Sequence, residues 1–275
     1  MCRWSQIRAN GKFIIIQSNE PHLMMSRRFL VRKILRIAIM LLISDTASSI
    51  SASSPHGAYR GFENGKVPID LDSVSFAEAF FWVWIHIFIT YSSLELFNTA
   101  CGVVAVLLNL ATPQDCPSAF GDLKEMYTVR KCWSIVWHQN CRRICSAPSI
   151  FLVRDVLKLR KGSFASKYIQ LFIGFFVSAT VHGGAAMLCH KSWTDDDGAF
   201  SVFMMQAAII MVEDHIIELG KTLGFKEGRG WRLLGYVWTV VWFGLSIRPY
   251  TSRGIKHGLW IHQKTFDVFG LGPKV

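Results

Sequence analysis

Long apolar runs, rather than alternation, organise this chain. Residues 168–188, YIQLFIGFFVSATVHGGAAML, hold 21 positions without a formal charge, and a helix that crosses a bilayer needs about 20. A second run, residues 199–212, leads into Glu213, Asp214 and His215, which predicts a span closing in a polar cluster. Residues 233–247, LLGYVWTVVWFGLSI, predict a third and short span. Upstream, residues 76–97 are aromatic-rich with one Glu near each end and read as a further crossing. Residues 99–111 are too few to cross unaided and read as a re-entrant or interfacial piece. The weakest candidate is 34–50, and the Ser-rich stretch 44–54 ahead of Pro55 and Gly57 reads as a linker. No internal repeat is visible.

Composition narrows the class. Only 18% of the residues are charged, against about 25% in soluble domains. With 20 Phe, 10 Trp and a mean hydropathy of +0.29, intrinsic disorder is excluded, because disordered chains lack the apolar material to bury. Seven cysteines without CxxC pairs suggest neither a disulfide scaffold nor a zinc ribbon. The expected fold class is therefore all-α, a polytopic helical bundle in a membrane.

The net charge of +11 is unevenly spread, and its distribution sets orientation. Residues 1–36 carry eight Lys or Arg against one Glu, and residues 122–167 carry ten against three acids, so both are expected on the cytosolic side. Asp195, Asp196 and Asp197 then fall in the lumen, and Lys221, Lys226, Arg229 and Arg232 return to the cytosol. Arg248, Arg253 and Lys256 break the pattern if 233–247 crosses. Basic residues flank the spans instead of interleaving with exposed aromatics, so nucleic acid is not an expected partner. Arg27, Arg28, Arg32, Lys33 and Arg36 precede a late, short apolar run, a pattern nearer a signal anchor than a cleavable signal.

Nine histidines invite a metal, as in membrane di-iron enzymes, yet no two stand three or four apart. His138, Cys141 and Cys145 lack paired spacing. No metal is expected. His182 stands inside the clearest span, where an ionisable residue is costly and reads as functional by default; the alternative is a histidine that bonds a neighbouring helix. Small residues surround it in Ser178-Ala-Thr-Val-His182-Gly183-Gly184. In the loop before it, Trp133 and Trp137 are four apart with His138 next in line. One helical turn would make these an aromatic wall beside a titratable group, or an interfacial anchor.

Three elements in order carry a resemblance: Pro117 with Phe120 and Gly121; Trp133 with Trp137, His138 and Gln139; Ser178 with His182 and Gly183. Together they resemble the wax-synthase-like branch of the membrane-bound O-acyltransferases (MBOAT), in particular its fungal members that acetylate terpenoids and related secondary metabolites. The likeness runs over about residues 76–250, an acyltransferase membrane domain. It leaves 1–75 as a basic leader with signal anchor and Ser-rich linker, and 251–275 as a tail. Such proteins begin with further spans, so the resemblance implies an N-terminally truncated member.

The resemblance further implies an enzyme of the endoplasmic reticulum membrane with acetyl-CoA as co-substrate and no bound cofactor. Its partners would be acyl-CoA, a lipophilic alcohol and the bilayer. His182 would be the base that removes the alcohol proton, and imidazole, with an unperturbed pKa of about 6.5, suits neutral pH. His138 would orient or polarise the thioester, with Gln139 or Asn140 in support and Trp133, Trp137, Ser178 and Gly183 lining the site. Arg142 and Arg143 could meet the phosphates of coenzyme A. The alternatives are a long-chain wax-ester synthase and a truncated, non-catalytic scaffold. Glu213, Asp214 and His215 either reach for the interface or line the CoA channel.

Overall fold

The computed structural model describes residues 5–9, 12–16, 19–57, 68–226, 228–260 and 267–272, with side chains from Arg27 onward. The earlier basic side chains and parts of the expected tail lie outside these. A short hairpin pairs Ser5–Ala9 antiparallel to Lys12–Ile16. All other regular elements described are helical: α1 (Asn19–Ser53), α2 (Phe76–Leu107), α3 (Arg142–Phe151), α4 (Phe164–His190), α5 (Ala199–Thr222), α6 (Arg229–Ser246) and α7 (Arg248–Lys256).

Four helical stretches are long and apolar enough to cross a membrane: Arg27–Ser53, Phe76–Leu107, Phe164–His190 and Ala199–Thr222, with mean hydropathies of 1.4 to 1.7. Apolar side chains such as Phe97, Val181 and Leu188 stand outward. Fully buried polar ones, Glu95, Thr99 and Gln206, stand inward. That inversion suits hydrocarbon outside and satisfied polar groups within.

Three expectations are corrected. Residues 99–107 are not a separate re-entrant piece; α2 continues unbroken to Leu107, and Gly102 lets the backbone lie against Cys116, whose Cβ would sit 3.1 Å from any added methyl. The Ser-rich stretch is helix up to Ser53, because Thr46 and Ser51 satisfy their hydroxyls on the carbonyls of Leu42 and Ala47 (2.7 and 2.8 Å). The third expected span is the helix α6, but Arg229, Arg232 and its indoles keep it outside the four apolar helices.

Helix α1 packs along α2, α4 packs along α5 and α3 lies against α4. Two apolar clusters hold the bundle. Leu71, Ala79, Trp82, Val83, Ile255 and Trp260 join the start of α2 to α7 and the turn after it. Val129, Cys132, Ile210 and Phe243, with Trp133, Trp137 and Phe175 against them, form the second cluster among α4, α5, α6 and the loop that follows α2.

Candidate active site

The loop expected on the cytosolic side threads between helices. Phe203, Gln206, Ile210 and Glu213, spaced by three and four, form one face of α5. The segment 129–133 runs down that face. Glu213 takes the backbone N–H groups of Val129 and Arg130 (2.8 and 3.0 Å) and the indole N–H of Trp238 (3.0 Å). Next, Asp214 accepts Arg130 through Nε and Nη2 (2.6 and 2.5 Å), Lys167 (2.6 Å) and the Tyr168 hydroxyl (3.1 Å). His215 bonds the Met211 carbonyl at 2.6 Å and stacks on Tyr168. The two carboxylates therefore form an inward clasp on the loop.

Two turns along, the Trp133 indole N–H meets the Gln206 carbonyl oxygen at 3.4 Å. Trp242 donates to the same oxygen at 2.8 Å, and the Gln206 amide donates to Ser246 at 3.1 Å. The Trp133 ring lies edge-on to Phe175 and Phe243 and 6.0 Å from Phe203. The segment Cys132–Val136 is π-helical and ends at Trp137, whose backbone is extended (φ −79°, ψ 129°). Trp133 and Trp137 thus face each other edge to face, 6.3 Å apart, without a continuous helical turn.

His138 follows in the left-handed region, φ 39° and ψ 60°. A non-glycine residue held there costs about 1–2 kcal/mol, and such strain concentrates at functional sites. The conformation is imposed by a two-bond ladder. Gly121 N–H donates to the Val136 carbonyl at 2.9 Å and Gln139 N–H to the Ala119 carbonyl at 2.7 Å. A Cβ on Gly121 would lie 2.1 Å from the Ile135 carbonyl oxygen. Buried Phe120 contacts Trp137 and His138 at ring separations of 5.2 and 6.1 Å. The Pro-x-x-Phe-Gly and Trp-x-x-x-Trp-His-Gln elements are therefore one physical unit.

Helix α2 holds that unit. Glu95, fully buried, accepts the Ser118 hydroxyl (2.9 Å), the Ala119 N–H (3.0 Å), Thr99 (3.3 Å) and the Arg36 guanidinium of α1 (3.2 Å). Asn98 donates to the Pro117 carbonyl and accepts from Asn140, both at 2.9 Å. The Gln139 amide donates to the Trp137 carbonyl at 2.8 Å. Sequence reasoning named Gln139 and Asn140 but missed Glu95, Asn98, Phe203 and Gln206. The available signal was a carboxylate well inside an apolar run.

His182, midway along α4, stacks on Phe203 with ring centroids 4.7 Å apart and 19° between planes. It is accessible, and neither of its ring nitrogens has a hydrogen-bond partner among the described residues. Phe203 in turn lies 6.0 Å from Trp133, which faces Trp137, the residue before His138. Burial pushes the His138 pKa below the usual 6.5, offset in part by a bond to its own backbone, so it is neutral at physiological pH. Deep burial likewise holds the Cys132 thiol up at about 12, with the Glu213 charge adding to it; Cys132 is packing, not a nucleophile.

Ser178 lies half-buried one turn before His182. Gly183 is buried against the α4–α5 turn, where an added Cβ would sit 3.2 Å from that of Asp196, whereas Gly184 faces open space. Arg142 and Arg143, at the start of α3, are exposed and pair with no carboxylate among the described residues. An open apolar groove of about 410 Å³, lined by Phe164, Met211, Val212, His215, Ile216 and Leu219, lies toward the other end of α5 from Phe203 and His182.

With this geometry in view, residues 116–205 match the profile of the Membrane bound O-acyl transferase family. Those limits enclose the loop unit and His182. The chain is 47% identical over 241 residues to "Acetyltransferase sirH" of Leptosphaeria maculans, covering 88% of this chain and 59% of that protein. It is 38% identical over 157 residues to "Acetyltransferase ple2" of Rhodocybe pseudopiperita, covering 57% of this chain and 41% of the relative. "Acetyltransferase TRI7" of Fusarium sporotrichioides is 28% identical over 262 residues, covering 88% of this chain and 59% of the relative. The chain thus spans from about two fifths to three fifths of the length of these curated relatives. No solved structure matches it.

Proposed function

On the premise that this chain is a relative of the Membrane bound O-acyl transferase family, we propose that it moves an acetyl group from acetyl-CoA to the hydroxyl of a lipophilic, terpenoid-type alcohol in the endoplasmic reticulum membrane. The observation that carries the reading is the imidazole of His182, unpartnered among the described residues and linked through Phe203 and Trp133 to the His138 loop, which two carboxylates and a backbone ladder immobilise. His182 takes the alcohol proton as the hydroxyl oxygen attacks the thioester carbonyl carbon. The carbon–sulfur bond then breaks, the coenzyme A thiolate leaves, and it recovers the proton. His138, neutral, orients the thioester.

Gln139 and Asn140 act by fixing the loop, since their amides are spent on Trp137 and Asn98. Trp133 and Trp137 form an apolar wall, and Ser178 and Gly184 leave room next to His182 for a bulky acceptor. Arg142 and Arg143, paired with no carboxylate among the described residues, suit the coenzyme A phosphates. Lipophilic acceptors arrive from the bilayer while charged coenzyme A arrives from water, so the site joins two solvents. The relatives' printed names, all acetyltransferases, favour acetyl over long-chain donors.

Microsomes that express the chain, supplied with labelled acetyl-CoA and an extract of lipophilic alcohols, should yield an acetylated product whose mass identifies the acceptor. Use of palmitoyl-CoA and a fatty alcohol, with acetyl-CoA ignored, would make the chain a wax synthase. Inactivity with both pairs would leave a scaffold role.

A further inference from the structure

Far from the loop unit in sequence, four potential ligands meet where α4 ends and α7 returns. His190 is the last residue of α4, Asp195 and Asp197 lie in the turn to α5, and His257 follows α7. One ligand atom from each lies within 4.8 Å of the others. We propose that His190, Asp195, Asp197 and His257 bind a divalent transition-metal ion, with zinc the best fit, which clips α7 to the α4–α5 turn.

Charge and valence argue for it together. Asp197 spans both rings, with His190 Nε2 at 3.1 Å from one oxygen and His257 Nδ1 at 2.7 Å from the other. His257 Nε2 lies 3.4 Å from Asp195. A neutral imidazole carries one N–H, so His257 cannot donate to both carboxylates unless it is charged. The two rings lie only 3.8 Å apart, which disfavours two imidazolium ions side by side. No Lys or Arg pairs with Asp195 or Asp197 among the described residues. One dication resolves all of this, because it accepts a lone pair from each neutral ring and neutralises both carboxylates.

The turn divides its acids by task. Asp196 caps α5 through the N–H groups of Gly198 and Phe200, both at 2.9 Å, and its nearest cation is Arg253 at 4.0 Å. Asp195 and Asp197, on either side, are left for the ion. Two nitrogens and two carboxylate oxygens suit tetrahedral zinc, whose bonds of about 2.0–2.2 Å require the pairs now farthest apart, within 4.8 Å, to close and the 2.7 Å pair to open. His190 and His257 are 67 residues apart, so no local spacing announced the set.

The full chain, purified in detergent on a tag without histidine and stripped with chelator, should take up one Zn²⁺ by elemental analysis and unfold at a higher temperature with zinc than without. Tetrahedral Co²⁺ absorption should appear in the same preparation. Asp195→Asn should weaken uptake about tenfold or more, and a His190→Ala/His257→Ala double variant should abolish it. A Cys141→Ser/Cys145→Ser variant should bind like the parent. Lack of stoichiometric binding or of a tetrahedral Co²⁺ spectrum in the parent would overturn the site, as would unchanged uptake in Asp195→Asn. Neither readout depends on acyl transfer.

Discussion

The Glu95 carboxylate takes the backbone N–H of Ala119 at 3.0 Å, and the Ala119 carbonyl takes that of Gln139 at 2.7 Å. Two hydrogen bonds thus connect a buried charge on α2 to the residue after His138. Glu95→Ala should lower stability in detergent by about 1–3 kcal/mol, the cost of leaving the buried Ala119 N–H without an acceptor, and should expose residues 117–140 to protease. Glu95→Gln, which can still accept one bond, should retain the helices but lose acetyl transfer mainly in kcat. Full activity of both variants would separate this carboxylate from the site.

His182→Ala should insert and fold like the parent, since its ring hydrogen-bonds to no group among the described residues that would be orphaned. Its turnover should fall by about 10²- to 10⁴-fold, as loss of a general base does. Rates in reconstituted vesicles at matched protein content give the answer.

Position 138 offers a split between ring and backbone. Both His138→Gly and His138→Ala remove the imidazole and should be severely impaired, but glycine accepts φ 39° freely. It should be more stable than the alanine variant by about 1 kcal/mol. Equal thermal stabilities would contradict the strained backbone.

The pH profile has a definite sign. Burial lowers the His138 pKa from 6.5, so the neutral form persists to more acidic pH than for a free imidazole. The acid limb of kcat/KM due to His138 should fall below pH 6.5, and activity should not drop between pH 6.5 and 8 on its account. In His138→Gln this limb should vanish.

Orientation can be read by labelling. Asp196 precedes α5 (Ala199–Thr222) and Glu213 lies about 21 Å along it at 1.5 Å per residue, with Lys131 near the latter. Single cysteines at Lys131 and Asp196 in a cysteine-free background should react from opposite faces of sealed microsomes.

How much of this was legible follows from the kind of interaction involved. The run 168–188 falls inside Phe164–His190, because a span is written in contiguous hydropathy. The triplets around Phe120, Trp137 and His182 were legible as separate elements. Their union was not: Gly121 meets Ile135 and Val136, and Phe120 meets Trp137, across a turn that no local period encodes. The insertion of the loop along α5 was hidden for a related reason. The ten basic residues of 122–167 spoke for a watery surface, yet Arg130 is consumed by Asp214, and the indoles, not the charges, decide the packing. Helical serines in α1 escaped because a hydroxyl bonded to the carbonyl four residues back behaves as an apolar side chain toward its surroundings.

The Arg36–Glu95 pair gives α1 a further importance. Residues 116–205 carry the family match, and a structural biologist trimming the protein to a minimal core would discard everything before α2. Doing so removes the guanidinium at 3.2 Å and leaves the buried Glu95 side chain without its basic partner. Boundaries for expression are better drawn by charge partners than by the edges of similarity.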